Sequence, residues 1–158
     1  MKEINAAPAA LEINFYLRDG EYGWLSNFAR YIQIVGDNVY PTNEHFYQSM
    51  KAKDPVVSAW ILEAPSPYLA MIAGRTLRDG KEFNNHEWEE TKVSIMLAGL
   101  RAKFSQHEDL KQKLLATGDA VIHEDSPTDL FWGKKGKDML GKLLMQVRED
   151  LKSVVVKR

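Results

Sequence analysis

The stretch YPTNEHFYQSMKAKD, residues 40–54, decides how the rest of the chain is read. Pro41 sets a backbone angle suited to a first helical turn, and Thr42 or Asn43 can accept from that turn's open amides, so a helix begins here. It is expected to run to Asp54-Pro55, because proline disfavours the helical conformation of the residue before it. Phe46, Met50 and Ala52 fall on the core-facing side and Tyr47 on its border. On a helix that advances about 100° per residue, Glu44 and Lys51 lie about 20° apart, with Gln48 about 40° to one side. An acid, an amide and an amine therefore share one stripe. A solvated polar face accounts for such a stripe, and exposed charged faces are common. The functional alternative is a carboxylate and an amine presented into a cleft, the first to carry a proton and the second to attack an electrophilic carbon.

Upstream of this helix, residues 13–16 read as a short strand ended by Arg18-Asp19-Gly20. Residues 22–28 are aromatic and polar without a period and read as a shaped loop. Residues 31–35 alternate around Gln33, and Gly36-Asp37-Asn38 returns them through Val39-Tyr40 as a hairpin. Downstream, helices are expected over 55–63 and 68–77, separated by Pro65-Ser66-Pro67, with a break at Arg78-Asp79-Gly80. After Asn84-Asn85 the spacing of Met96, Leu97, Leu100 and Phe104 predicts a long helix over 86–105. A further helix, 108–117, ends at Gly118. Residues 120–123 form a strand candidate, 124–137 a loop, and 138 to about 152 a last helix with Leu140, Leu143, Leu144 and Val147 on its apolar face. Helices outnumber strands, so the reading is a helix-rich α+β fold. It has one small sheet, a loose arm over residues 1–10, and a single domain from 11 to 158.

Composition narrows the function classes. The chain has 158 residues, 44% hydrophobic and 27% charged, which suits one folded domain. A net charge of −1 gives no global attraction to a polyanion, so contact with nucleic acid would need a local basic patch. The absence of cysteine removes disulfides, thiolate nucleophiles and cysteine-held zinc. The four histidines, at 45, 86, 107 and 123, show no spacing of three or four, so no metal site is expected. Ser26 has no recognisable triad partners. The amino terminus lacks a signal-peptide pattern and no run is long enough to span a bilayer, so a cytoplasmic protein is expected.

A second constellation lies in the late loop, Asp129-Leu130-Phe131-Trp132-Gly133-Lys134-Lys135-Gly136-Lys137. Two glycines and several lysines ahead of a helix suit an anion, although the loop lacks the Gly-Lys-Ser/Thr ending of a Walker loop and a basic surface turn would look similar. Trp132 can stack on a base or anchor the core. Trp88, in the first turn of the long helix, can staple that helix or line a pocket.

Taken in order, Phe15-Tyr16, Tyr22-Gly23 with Ser26-Asn27-Phe28, Pro41 to Gln48 with Lys51, Ala73-Gly74-Arg75, Trp88, Leu100 to Phe104, and Asp129 with Trp132-Gly133 resemble the YbiA-like NADAR family from about residue 13 to 150. The resemblance implies a compact helix-rich α+β fold and an N-glycosidase that hydrolyses a bond between a ribosyl anomeric carbon and a nitrogen. Its substrates would carry phosphate: ADP-ribose joined to guanine in nucleic acid or a nucleotide is the leading expectation, and a phosphoribosylaminopyrimidine of riboflavin synthesis the alternative. The family's functional positions fall on Glu44, Lys51, Trp88, Asp129 and Trp132.

The expected catalytic set is Glu44, Lys51 and Asp129. The expected binding set is Tyr22, Gly23, Ser26, Asn27, Phe28, Gln48, Arg75, Trp88, Trp132, Gly133 and Lys137. No cofactor or metal is called for. Where the family pattern has Gly-Lys-Asn, this chain has Gly136-Lys137-Asp138, which favours a helix cap at 138 over contact with a phosphate. A non-catalytic ADP-ribose or nucleotide reader is the rival class, in which the tryptophans stack and the Gly-Lys loop holds phosphate.

Overall fold

The computed structural model describes residues 11–79 and 87–156. The fold is α+β and helix-rich, and its described residues divide into two units: one up to Ser26 together with the chain from His107 onward, the other Asn27–Gln106. The arm over residues 1–10, Gly80 and the Asn84-Asn85 cap lie outside the described residues.

In the first unit, strand β1 (Glu12–Phe15) pairs in parallel with β4 (Val121–Glu124), Ile13 opposite Ile122. Alternation puts Ile13, Phe15 and Ile122 inside. Helix α5 (Glu108–Ala116) and helix α6 (Met139–Val156) complete the unit, and α6 packs on β4 and α5. Leu110 and Leu114 of α5 and Leu140, Leu143, Leu144 and Val147 of α6 are buried, as the helical spacing predicts. Arg148 closes the turn between α5 and β4, donating to Thr117 Oγ1 and the Ala120 carbonyl at 2.9 Å each. The loop over 22–28 contains one 3-10 turn, Gly23–Leu25.

The second unit holds the hairpin β2 (Gln33–Val35) and β3 (Asn38–Tyr40), then α1 (Asn43–Ser49), α2 (Pro55–Leu62), α3 (Pro67–Asp79) and α4 (Trp88–Gln106). Among the described residues the strands form two separate pairs, where the sequence suggests one small sheet. Ile61, Ala70, Ala73 and Leu77 form the α2–α3 core, and Tyr40 and Phe46 meet edge to face at 5.2 Å.

Helix α1 departs most from the sequence reading. It ends at Ser49 rather than Asp54, after which the Lys51 and Ala52 amides bond to Gln48 and Ser49 carbonyls in tighter i to i+3 turns. The cause is downstream: Asp54 must be extended to cap α2, whose Val56 amide it accepts at 2.8 Å, and Pro55 enforces that conformation. Lys51 therefore lies past the helix end, and Met50, expected inside, is exposed. The other difference is burial. α1 touches α2, α3, α4 and β3, and all seven of its residues are buried.

Candidate functional site

Burying a helix that reads Asn-Glu-His-Phe-Tyr-Gln-Ser obliges each polar side chain to find a partner, since a buried polar group without one costs kilocalories. The solvated-face account of the stripe is thereby excluded: Glu44 is 6% exposed and Gln48 4%.

At the helix start, Thr42 Oγ1 accepts the His45 amide at 3.1 Å and sits 2.8 Å from His45 Nδ1. His45 Nε2 lies 2.9 Å from the Ala64 carbonyl, which can only accept. The ring is therefore the Nε2-H tautomer, with Thr42 donating to Nδ1. Burial holds its pKa below the ordinary histidine value, so it stays neutral and both nitrogens are committed. Asn43 anchors the other side: its Nδ2 donates to Asn27 Oδ1 at 2.8 Å, and its Oδ1 accepts from Gln33 Nε2 at 2.9 Å. The Asn27 carbonyl accepts the Glu44 amide at 3.0 Å. Asn27, expected to bind substrate, thus has its side chain and carbonyl engaged in fixing α1.

The carboxylate of Glu44 is held by Gln48, whose Nε2 donates to Oε1 at 2.7 Å. Turning that amide over would place two acceptors together, so its orientation follows from its partner. Gln48 Oε1 is buried without a hydrogen-bond partner, against α3. It stands 1.9 Å from where a Cβ on residue 74 would be, which is why Gly74 occupies that turn. Its neighbour Arg75 is exposed.

Lys51 lies beyond the helix end, against two aromatic rings. Its Nζ lies 5.4 Å from the Tyr47 ring centre and 5.7 Å from that of Trp88, and the two rings are 5.0 Å apart. At such distances each ring face attracts a cation. Trp88, Tyr47, Lys51, Gln48 and Glu44 all belong to the second unit, as do Asn27, Phe28 and Arg75. A shallow depression of 630 Å³ also in this unit is lined by the hairpin and α4, with Phe46 and Met50, and includes none of the expected site residues.

The first unit contains Tyr22, Gly23, Ser26, Asp129, Trp132, Gly133 and Lys137. Asp129 is a turn-former as well as a carboxylate: its Oδ1 accepts the Phe131 and Trp132 amides at 2.9 and 2.7 Å. Only Oδ2 is left for other work. Trp132 meets Phe131 edge to face at 4.8 Å, and Lys137 Nζ lies 5.4 Å from the Phe131 ring. The lysines of this loop are partly used internally. Lys134 bonds to Glu12 and Asn14 at 2.7 and 2.9 Å, which lowers the Glu12 pKa and raises its own. Asp138 precedes α6, as the cap reading requires, but its side chain turns to His123 and not to the first-turn amides. Among the described residues no group of three or more acids and histidines is placed to hold a metal ion.

Two titratable groups escaped the sequence reading. Lys103 on α4 is fully buried, near the Phe104 and Tyr31 rings at 5.3 and 5.7 Å, and burial pushes its pKa down to about 7. Its position three residues after Leu100 was the available signal. Glu124, at the end of β4, has its pKa pushed up to about 7, chiefly by burial. No local pattern marked it.

The chain matches the NADAR domain family model over residues 14–152. It is 41% identical over 143 residues to the N-glycosidase YbiA of Escherichia coli (strain K12), covering 88% of each chain. A riboflavin biosynthesis protein of Vibrio vulnificus (strain YJ016) is 36% identical over 143 residues, which is 88% of this chain and 38% of that longer protein. The NMR structure of E. coli YbiA superposes with a TM-score of 0.83 at 38% sequence identity, covering 94% of this chain and 90% of that one.

Proposed function

The chain belongs to the NADAR domain family and is an N-glycosyl hydrolase; we propose that it cleaves the bond from a base nitrogen to the anomeric carbon of a phosphate-bearing ribosyl group, with a phosphoribosylaminopyrimidine of riboflavin synthesis as substrate. The name of the Vibrio relative supports that substrate over ADP-ribosylated guanine. The observation that carries the mechanism is a buried carboxylate, Glu44, oriented by Gln48 and followed by an amine set against two aromatic rings.

Breaking the glycosidic bond leaves the electron pair on the base nitrogen and positive charge on the anomeric carbon. A carboxylate out of bulk water stabilises that charge strongly. Water then adds to the carbon, and the proton it loses passes through Glu44 to the departing nitrogen, so the products are free base and hydroxyl sugar. Lys51 has two compatible roles. As an ammonium it binds the substrate's phosphate or orients Glu44. As a neutral amine it displaces the base, which leaves with the amine's proton by way of Glu44; the ring oxygen then departs and takes a proton, leaving an iminium that water hydrolyses to the free sugar and the amine. Tyr47 and Trp88 favour positive charge at that nitrogen in either case. Within the first unit, Asp129 offers a carboxylate and Trp132 a ring that can stack on a base. The binding roles of Tyr22, Gly23, Ser26, Phe28, Arg75, Gly133 and Lys137 complete the proposal.

The test offers the enzyme a phosphoribosylaminopyrimidine and ADP-ribosylated guanosine separately, with chromatographic detection of released base. Release from the pyrimidine is expected. Release from the guanosine alone transfers the assignment to ADP-ribose, and binding without release from either favours a nucleotide reader. Borohydride added during turnover should leave a sugar adduct on Lys51 if the iminium forms; an unmodified intact mass leaves the ammonium role.

A further inference from the structure

Glu124 takes no part in that chemistry, yet it lies at the root of the loop that carries Asp129, Trp132 and Gly133. Its main-chain carbonyl accepts the Lys134 amide at 2.7 Å, closing the loop at its neck. Its carboxyl group accepts from the Ser126 amide. Ser126 in turn receives the Thr128 and Asp129 amides on its hydroxyl, at 3.2 and 3.0 Å. At the other end of the loop, Glu124 Oε2 is buried without a hydrogen-bond partner, 2.9 Å from where a Cβ on residue 133 would stand. The Asp129 carbonyl lies 2.5 Å from the same point, so only glycine fits there.

We infer that Glu124 is a positioning residue: its carboxyl group is the seat of the loop over residues 126–133, held between Ser126 and Gly133, and it fixes where Asp129 and Trp132 stand. The inference rests on the reading that those two residues serve the glycosidase reaction.

The surroundings decide which form of the acid the seat uses. Asp125 and Asp129 from the loop and Asp138 from the start of α6 act on the carboxyl group, and with burial they favour its neutral form. The neighbouring basic side chains are committed elsewhere: His123 faces Asp138 and Glu12, and the Lys134 amine faces Glu12 and Asn14. Only the Ser126 amide favours the anion. Below about pH 7 the loop rests on a neutral acid. Above it, a buried anion with no donor on Oε2 repels Asp129 and loosens the loop.

The test follows Trp132 directly. Protein made with 5-fluorotryptophan has four labelled positions, and the Trp132 resonance is assigned by its loss in Trp132→Phe. That resonance should titrate near pH 7, and kcat/KM should fall by up to about tenfold per pH unit above it. Glu124→Gln, neutral at every pH and still able to accept from Ser126, should abolish both dependences while keeping the low-pH values. Glu124→Ala should displace the resonance at every pH. A Trp132 resonance that Glu124→Ala leaves in place, or that titrates unchanged in Glu124→Gln, overturns the inference. A titration lost in Glu124→Gln, in a protein that turns over neither substrate, upholds the seat and sinks the glycosidase roles of Asp129 and Trp132.

Discussion

Gly74→Ala is the most direct probe of how Glu44 is held. The added Cβ would stand 1.9 Å from Gln48 Oε1, 2.8 Å from its Cδ and 3.3 Å from its Cβ, against an ordinary contact of about 3.5 Å. The clash reaches most of the side chain, so a small shift of the amide tip cannot relieve it. Gln48 must change rotamer, and its 2.7 Å bond to Glu44 is then lost. Overpacking of this kind costs about 1–3 kcal/mol of stability. A hydrogen bond to a charged group contributes about 1.5–3 kcal/mol. If that bond holds Glu44 in its working position, the variant should lose about ten- to a hundredfold in kcat. Urea unfolding and steady-state kinetics on the hydrolysed substrate measure the two quantities separately. The double variant Gly74→Ala with Gln48→Ala removes the clash, so it should regain stability relative to Gly74→Ala and regain no activity. Gly74→Ala with wild-type stability and full turnover would refute the argument, because it would mean that Gln48 neither fills that space tightly nor orients Glu44.

Three further perturbations separate structure from chemistry. Asp129→Asn keeps an acceptor for the Phe131 and Trp132 amides but removes the charge, so it should fold within about 0.5 kcal/mol of wild type and lose turnover; unchanged kcat would reduce Asp129 to a turn-former. Thr42→Val removes the hydroxyl that serves both the His45 amide and Nδ1, with an expected loss of about 1–2 kcal/mol, and an unshifted urea midpoint would contradict the cap. Lys103 binds a proton in the unfolded chain up to about pH 10.5 but in the folded chain only to about 7. Stability should therefore rise as pH increases from 7 toward 10, the full span being on the order of 5 kcal/mol. Lys103→Met should flatten that dependence and be at least as stable at pH 7; a loss of more than about 2 kcal/mol there would show that the amine's contacts outweigh its desolvation.

The legible parts of this fold were those governed by local rules. The apolar spacing of α4 and α6, the Pro-Ser-Pro break before α3, the 36–38 turn and the Thr42 cap all depend on residues within one or two turns of each other. The pairing of β1 with β4 was not legible because the two strands are about 110 residues apart and a parallel pairing leaves no hairpin signal between them. Helix α1 failed differently. Its sequence looks half-polar because it is buried on all sides among α2, α3, α4 and β3, and its polar residues pair inside the unit instead of facing water.

That burial changes the logic of the site. Helical spacing joins Glu44, Gln48 and Lys51 as a stripe, but the helix carries only the first two, and Lys51 lies past its end. Glu44 and Gln48 meet because i and i+4 share a helix face. Lys51 reaches the rings of Tyr47 and Trp88 because the chain tightens after Ser49 and because α4 supplies Trp88. Spacing can nominate such a lysine, but it cannot supply the ring from another helix that favours a cation there. Nor could it distinguish an acid on a wet surface from one with 6% exposure and an oriented amide donor, and that difference in environment lets a carboxylate act strongly on a developing positive charge.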